Sequence, residues 1–208
     1  MHLSDGVLPV GVAAGGYVCA VAISALTARK TNKTEIPRVA VMTAAFFAAS
    51  LIHVPIPPSS AHLVLSGLIG IVLGRLSFIS IFVGLIFQAI MFQHGGILTL
   101  GVNALNMGIP ALIAGSIFRH FKKYLENKPV FSASLAGVLS ALAVILSSLA
   151  IAAELIFTGM EFAVVSKTIV LVNSIIGVIE GVITFFIFSI ILKVKPQIVY
   201  GDLQEEKS

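Results

Sequence analysis

The stretch "AHLVLSGLIGIVLGRLSFISIFVGLIFQAIMF", residues 61–92, decides how the chain crosses a membrane. Read as one helix it would span about 45 Å at about 1.5 Å per residue. A bilayer core is about 30 Å thick and takes about 20 helical residues. One crossing is therefore too short for this stretch, and the polar pair Arg75 and Ser77 marks its interruption. Two short helices, 61–74 and 78–92, meeting in a tight hairpin, are the better reading. Working outward, five further apolar segments run over 7–28, 39–54, 98–118, 130–157 and 168–192. The whole is 208 residues, 58% hydrophobic and 11% charged, with a mean hydropathy of +1.07. That excludes a soluble domain and predicts an all-α polytopic membrane protein of about seven transmembrane helices. Residues 1–195 read as one transmembrane domain and 196–208 as a short cytoplasmic tail.

Charge placement supports the count. With the N-terminus outside, the inner loops collect Arg29, Lys30, Lys33, Arg38, Arg75, Arg119, Lys122, Lys123, Lys128, Lys193, Lys195 and Lys207, and the outer side keeps only Lys167. Basic residues concentrate on cytoplasmic loops, and an even number of spans would scatter this set. The C-terminus is then cytoplasmic, and the formal net charge of +4 reflects topology rather than nucleic-acid binding. The single Cys19 excludes a disulfide framework and a cysteine metal cluster. No basic n-region precedes the first apolar segment, so the expectation is an uncleaved start that keeps Met1.

The same map places His2, His53, His62 and His94 at outer ends of segments, while His120 falls in a basic inner loop. A free amine followed by histidine is a ready chelate. The Met1 amine and the His2 backbone nitrogen close a five-membered ring on a metal; that nitrogen and His2 Nδ1 close a six-membered one. Displacing the amide proton suits Ni²⁺ and Cu²⁺, Co²⁺ less so, and a tetragonal nitrogen set is the geometry Cu²⁺ and Ni²⁺ prefer. The competing reading of His2 is a plain polar tip. The candidate fourth ligand is His62 in "VPIPPSSAHL". Pro55, Pro57 and Pro58 stop the second helix, and Ser59 or Ser60 capping the next would put His62 in its first turn. There the helix dipole favours a neutral imidazole; the plain alternative is an interfacial histidine.

Other residues read as neighbours of such a site. His53 is a hydrogen-bond partner behind the ligands or a ligand itself. In "QHGGILTLGVNALNMGIP", Gly95, Gly96, Asn103, Asn106 and Pro110 predict irregular backbone lining a cavity, with Asn103 and Asn106 on one face. Glu180, the one carboxylate read as deep in a span, is either functional or a structural bond between helices. Gly67, Gly70 and Gly74, and Gly11 and Gly15, have the spacing of close helix packing, within the fold or against a partner.

Taken together, "MHLSDGVLP" (1–9), "HVPIPPSSAHL" (53–63), "FQHGGILTLGVNALNMGIPAL" (92–112) and "IGVIEG" (176–181) resemble the CbiM/NikM family. These are the substrate-binding S subunits of energy-coupling-factor (ECF) importers of nickel and cobalt, and the likeness runs to about Lys195. The resemblance implies a seven-helix subunit whose N-terminal segment tucks in from outside. It implies a metal held by the Met1 amine, the backbone and side chain of His2, and His62. Leu3 and Ser4 are variants of the family's usual residues, and "QHGG" stands where some relatives carry an acid, which leaves the role of His94 open. The implied cargo is Ni²⁺ or Co²⁺, with no organic cofactor. The implied partners are a transmembrane coupling subunit, two ATP-binding-cassette ATPases and a small accessory membrane subunit, in the plasma membrane.

What the chain lacks agrees with a subunit that is not itself an enzyme. No G-x-x-x-x-G-K-[ST] is present to bind ATP, and no H-E-x-x-H for a metalloprotease. The H-x-x-x-x-D of secondary nickel carriers is also missing. A proton-coupled secondary carrier with Glu180 as its proton site remains the alternative.

Overall fold

The computed structural model describes residues 2–200 apart from Lys30, Ile52, Pro57 and Pro58, and for residues 53–56 and 59–61 the backbone alone. Among the described residues seven α-helices of eight residues or more follow one another: α1 (Val10–Ala28), α2 (Ile36–Ser50), α3 (Ser66–Leu73), α4 (Ser77–Phe92), α5 (Leu100–Leu125), α6 (Pro129–Thr158) and α7 (Ala163–Val194). Pro37 and Pro129 stand in the first turns of α2 and α6, where a missing N–H costs nothing. Among the described residues, four single helices are long and apolar enough to cross a membrane: α1, α5, α6 and α7 (with the Met160–Phe162 turn before it). The apolar stretch Ser66–Phe92 has the length of a fifth.

That stretch is folded back on itself. A 3-10 turn, Gly74–Leu76, joins α3 to α4, and Gly74 adopts φ +59, a conformation that glycine takes without strain. The ends prove the hairpin. His62, ahead of α3, and Gln88, near the end of α4, both touch His2. A continuous helix would hold those two residues about 39 Å apart at about 1.5 Å per residue. The seven helices thus alternate in direction, as their apolar lengths and interrupting charges imply.

Between α2 and α3 the chain makes two short antiparallel strands that the all-α expectation did not contain. β1 (His53–Ile56) pairs with β2 (Ser59–His62), in the register His53 opposite His62. His62 therefore lies in extended backbone, and α3 starts only at Ser66. The expected helical turn at His62 is corrected: its backbone hydrogen bonds go to a strand partner, and Leu65, at φ +55, breaks the path into the helix.

At the centre is α5, packed against α1, α3, α4 and α6. The expected irregularity of residues 95–110 is confined to the segment before it. Asn103, Asn106 and Pro110 all lie inside one continuous helix, since the buried asparagines find side-chain partners rather than breaking the backbone. Gly70 of α3 sits on the backbone of Ala111 with no room for a Cβ, and Gly67 likewise meets Ser140, so these small residues serve packing within the fold. Gly11 and Gly15 of α1 have nothing within 4 Å.

One end of the bundle gathers the bases. Arg75 pairs with Glu35 at 3.0 Å and donates to the carbonyl of Thr27. Arg38 donates to the carbonyls of Val72 and Ile198, and the Arg119 guanidinium lies against Gly74. Residues 197–200, read from sequence as part of a tail, form a helical turn there, with Tyr200 hydrogen-bonded to Ser132.

Replacing Gly70 with Ala should force α3 off α5 and destabilise the fold by about 1–3 kcal/mol. Replacing Gly11 with Ala should leave the melting temperature in detergent unchanged or slightly raised, because nothing lies in the way. Equal melting curves for both variants would contradict this packing.

Candidate metal centre

At the other end, residues 2–4 run in irregular backbone into a turn at Asp5 and Gly6, and Leu3 is entirely buried. Its N–H donates to Asn103 Oδ1 at 2.8 Å, and its carbonyl accepts from Asn103 Nδ2 at 3.0 Å and Thr99 Oγ1 at 2.7 Å. Asn103 thus meets the backbone as a neighbouring strand would. The Asp5 carboxylate then accepts from the N–H groups of Ile97, Leu98 and Thr99 at 3.0, 2.8 and 3.2 Å. Those groups precede the first turn of α5, where backbone donors lack helical partners, so a residue remote in sequence caps the helix and is held by it.

This anchorage delivers His2 to a buried position, 3% exposed, beside His62, also 3% exposed. His2 Nε2 lies 2.8 Å from Gln88 Oε1, and Gln88 donates its own amide N–H to Ser50 Oγ at 2.7 Å. An amide oxygen only accepts, so the proton of the neutral His2 ring is on Nε2 and Nδ1 carries a bare lone pair. His62 Nδ1 lies 2.9 Å from the carbonyl of Leu63, which also only accepts. Its proton is therefore on Nδ1, and Nε2 is bare.

The two bare nitrogens, His2 Nδ1 and His62 Nε2, face each other at 3.1 Å, with the rings 4.7 Å apart between centroids and inclined by 26°. Two lone pairs at that separation repel unless a proton or a metal ion lies between them. Burial holds the His2 imidazole well below the ordinary histidine range, and the nearby His62 and His94 push the same way. The ring is therefore kept neutral, the form that binds metals. Among the described residues no three His, Cys, Asp or Glu side chains gather around one point. Met1 lies outside the described residues.

A family model, the cobalt uptake substrate-specific transmembrane region CbiM, matches residues 2–198. The chain belongs to the CbiM family. A putative metal transport protein of Haemophilus influenzae is 43% identical over 119 residues, 57% of this chain and 58% of that protein. A putative fused nickel transport protein NikMN of Archaeoglobus fulgidus is 29% identical over 96% of this chain and 68% of its own length. A crystal structure of a transition metal transporter superposes with a TM-score of 0.79 at 25% identity, covering 93% of each chain. The chain is a multi-pass plasma-membrane protein of a metal transport family, its metal being of the cobalt or nickel class.

The remaining residues expected from sequence take different places in the CbiM fold. His94 follows α4, which ends at Gln93 with φ +53; its ring faces Phe92 at 6.1 Å, and its charge acts on His2. Gly95 packs directly on the His2 side chain. The backbone of His53 pairs with that of His62, and its side chain lies outside the described residues. Asn106, a turn further along α5, donates to Glu154 Oε2 at 2.7 Å. Glu154 lies within α6, so Glu180 is not the one carboxylate inside a span. Glu180 itself is fully buried and accepts from the backbone N–H groups of Val64 and Leu65, the latter at 2.9 Å.

Sequence reasoning passed over Asp5 and Gln88. Gln88 was visible as the lone amide in the apolar run of α4, and Asp5 as an acid beside the first histidine; their partners lie 92 to 94 residues away for Asp5 and 86 away, at His2, for Gln88. Replacing Asn103 with Leu should leave the buried Leu3 N–H unpaired, at a cost of about 1–3 kcal/mol. The carbonyl would keep Thr99. Faster hydrogen exchange at Leu3 and a lower melting temperature are the expected results.

Proposed function

We propose that this protein captures Ni²⁺ or Co²⁺ at the extracytoplasmic end of the bundle and passes it inward as the substrate-binding subunit of an ATP-driven ECF-type importer. The observation that carries the reading is the pair of bare, buried imidazole nitrogens 3.1 Å apart. Two nitrogens bound at about 2.0–2.1 Å and at a right angle on one metal lie about 2.9 Å apart, so the pair suits adjacent positions in a planar set. The His2 backbone nitrogen and the Met1 amine complete four nitrogens, and His62 Nε2 is the fourth corner. Such a set needs a deprotonated amide and prefers square-planar Ni²⁺, so nickel is held more tightly than cobalt.

Orientation is supported by the bases. Arg38, Arg75 and Arg119 lie at the end opposite His2, as the cytoplasmic side of a membrane protein requires. In this reading residues 2–5 face the outside and residues 197–200 the cytoplasm. ATP-binding-cassette ATPases, a transmembrane coupling subunit and a small accessory membrane subunit supply the energy step that the chain has no nucleotide motif to perform. Both oxygens of Glu180 are engaged by backbone N–H groups, which speaks against a mobile proton site and hence against a proton-coupled carrier.

Nickel affinity, measured by competition with a chelator, tests the ligand set. Residues added before Met1, or acetylation of its amine, should abolish most binding while the protein still folds. His62→Ala should remove one of four donors with a similarly large loss. An extended protein with unchanged affinity would overturn the chelate.

Binding also releases protons from the amine and the amide. A model amine titrates at about 7.7–8.0, so acidification from about pH 7.5 to 5.5 should weaken binding by more than tenfold per pH unit. The His2 ring, whose pKa is lowered in the folded protein, is already neutral at the start and adds its own proton competition only below the ordinary histidine range. A flat profile over this window would exclude the nitrogen set.

A further inference from the structure

The carboxylate of Glu180 is a buried ionisable group that the ligand set leaves unused. It projects from the middle of α7, entirely out of contact with the surface, and accepts the N–H groups of Val64 and Leu65. Those are the second and third residues after His62, and Leu65 holds a left-handed conformation at φ +55. The loop therefore leaves the strand at His62, turns through two amides gripped by one carboxylate, and enters α3. The His62 ring is itself closed onto the carbonyl of Leu63, so the direction of its bare nitrogen depends on where residues 63–65 are held.

We infer that Glu180 is the positioning residue of the metal site: it fixes the 63–65 loop so that His62 faces His2, without touching the ion. This rests on the nitrogen ligand set proposed above.

The test is nickel binding by the purified full-length protein, read by chelator competition and by the ligand-field absorption of nickel. Glu180→Gln keeps the size but loses the charge and one of the two acceptors. It should weaken binding about 10- to 100-fold, the usual cost of losing a group behind a metal ligand, while the absorption at saturation keeps the wild-type form. In a His62→Ala background the same change should cost little more, because Glu180 acts through His62; the two effects are then non-additive.

Wild-type affinity in Glu180→Gln would overturn the inference, as would full additivity with His62→Ala, the mark of a merely structural role. A changed absorption spectrum would make Glu180 a ligand and overturn it equally. Should Glu180→Gln fail to fold, Glu180→Asp keeps the charge on an arm one methylene shorter and should still bind more weakly than wild type; unaltered binding there overturns the positioning role. Failure of the ligand set itself is distinguishable, since wild-type protein would then show no four-nitrogen nickel absorption at all.

Discussion

Leu3 is wholly buried, and inside an apolar bundle its backbone N–H and carbonyl need partners as good as those of a helix. One side chain, Asn103, supplies both, with Thr99 as a second donor to the carbonyl. This is the constraint on which the rest of the site depends. A terminal peptide has large conformational freedom to lose, and without these bonds it would remain in solvent. The Asp5 carboxylate adds a charged cap on the amides that precede α5, which joins the peptide to the central helix of the fold. The anchored segment is short, so His2 has little choice of position once Leu3 and Asp5 are held.

A second level of order sits behind the imidazoles. Gln88 and the Leu63 carbonyl each take one ring N–H, and in doing so decide which nitrogen of each ring is bare. Ser50 on α2 sets the direction of the Gln88 amide. The chemistry at one point thus draws on α2, α4, α5 and α7, although only two side chains among the described residues present donors. Such indirect control is common for metal-binding histidines, whose second nitrogen is usually committed elsewhere. It also accounts for polar groups surviving in apolar helices: Gln88, Asn103, Asn106 and Glu180 each meet a partner.

The hairpin of α3 and α4 links the two ends. Its turn lies among the arginines, and its arms carry the His62 loop and Gln88 back to the N-terminal segment. α3 is too short to cross a bilayer alone, and it is surrounded by α5 and α6 rather than lipid. Its buried glycine contacts permit that depth. The hairpin therefore acts as an internal spacer whose length sets the distance between the metal end and the basic end.

Much of this was legible in the amino acids. Hydropathy, the interruption at Arg75 and Ser77, and the segregation of bases set the span count and the alternation of helices, because transfer of charge and of apolar length into lipid are local costs that each segment meets by itself. His2 and His62 stood out for the same kind of reason: their donor chemistry belongs to the residue and its neighbours. What the tertiary structure decided is how distant residues meet. That Asn103 grips Leu3, that Gln88 selects the His2 tautomer and that Glu180 holds the amides after His62 all follow from contacts across 86 to 116 residues. No local pattern encodes such a pairing, since an amide or carboxylate in an apolar helix has the same sequence signature whichever partner it faces.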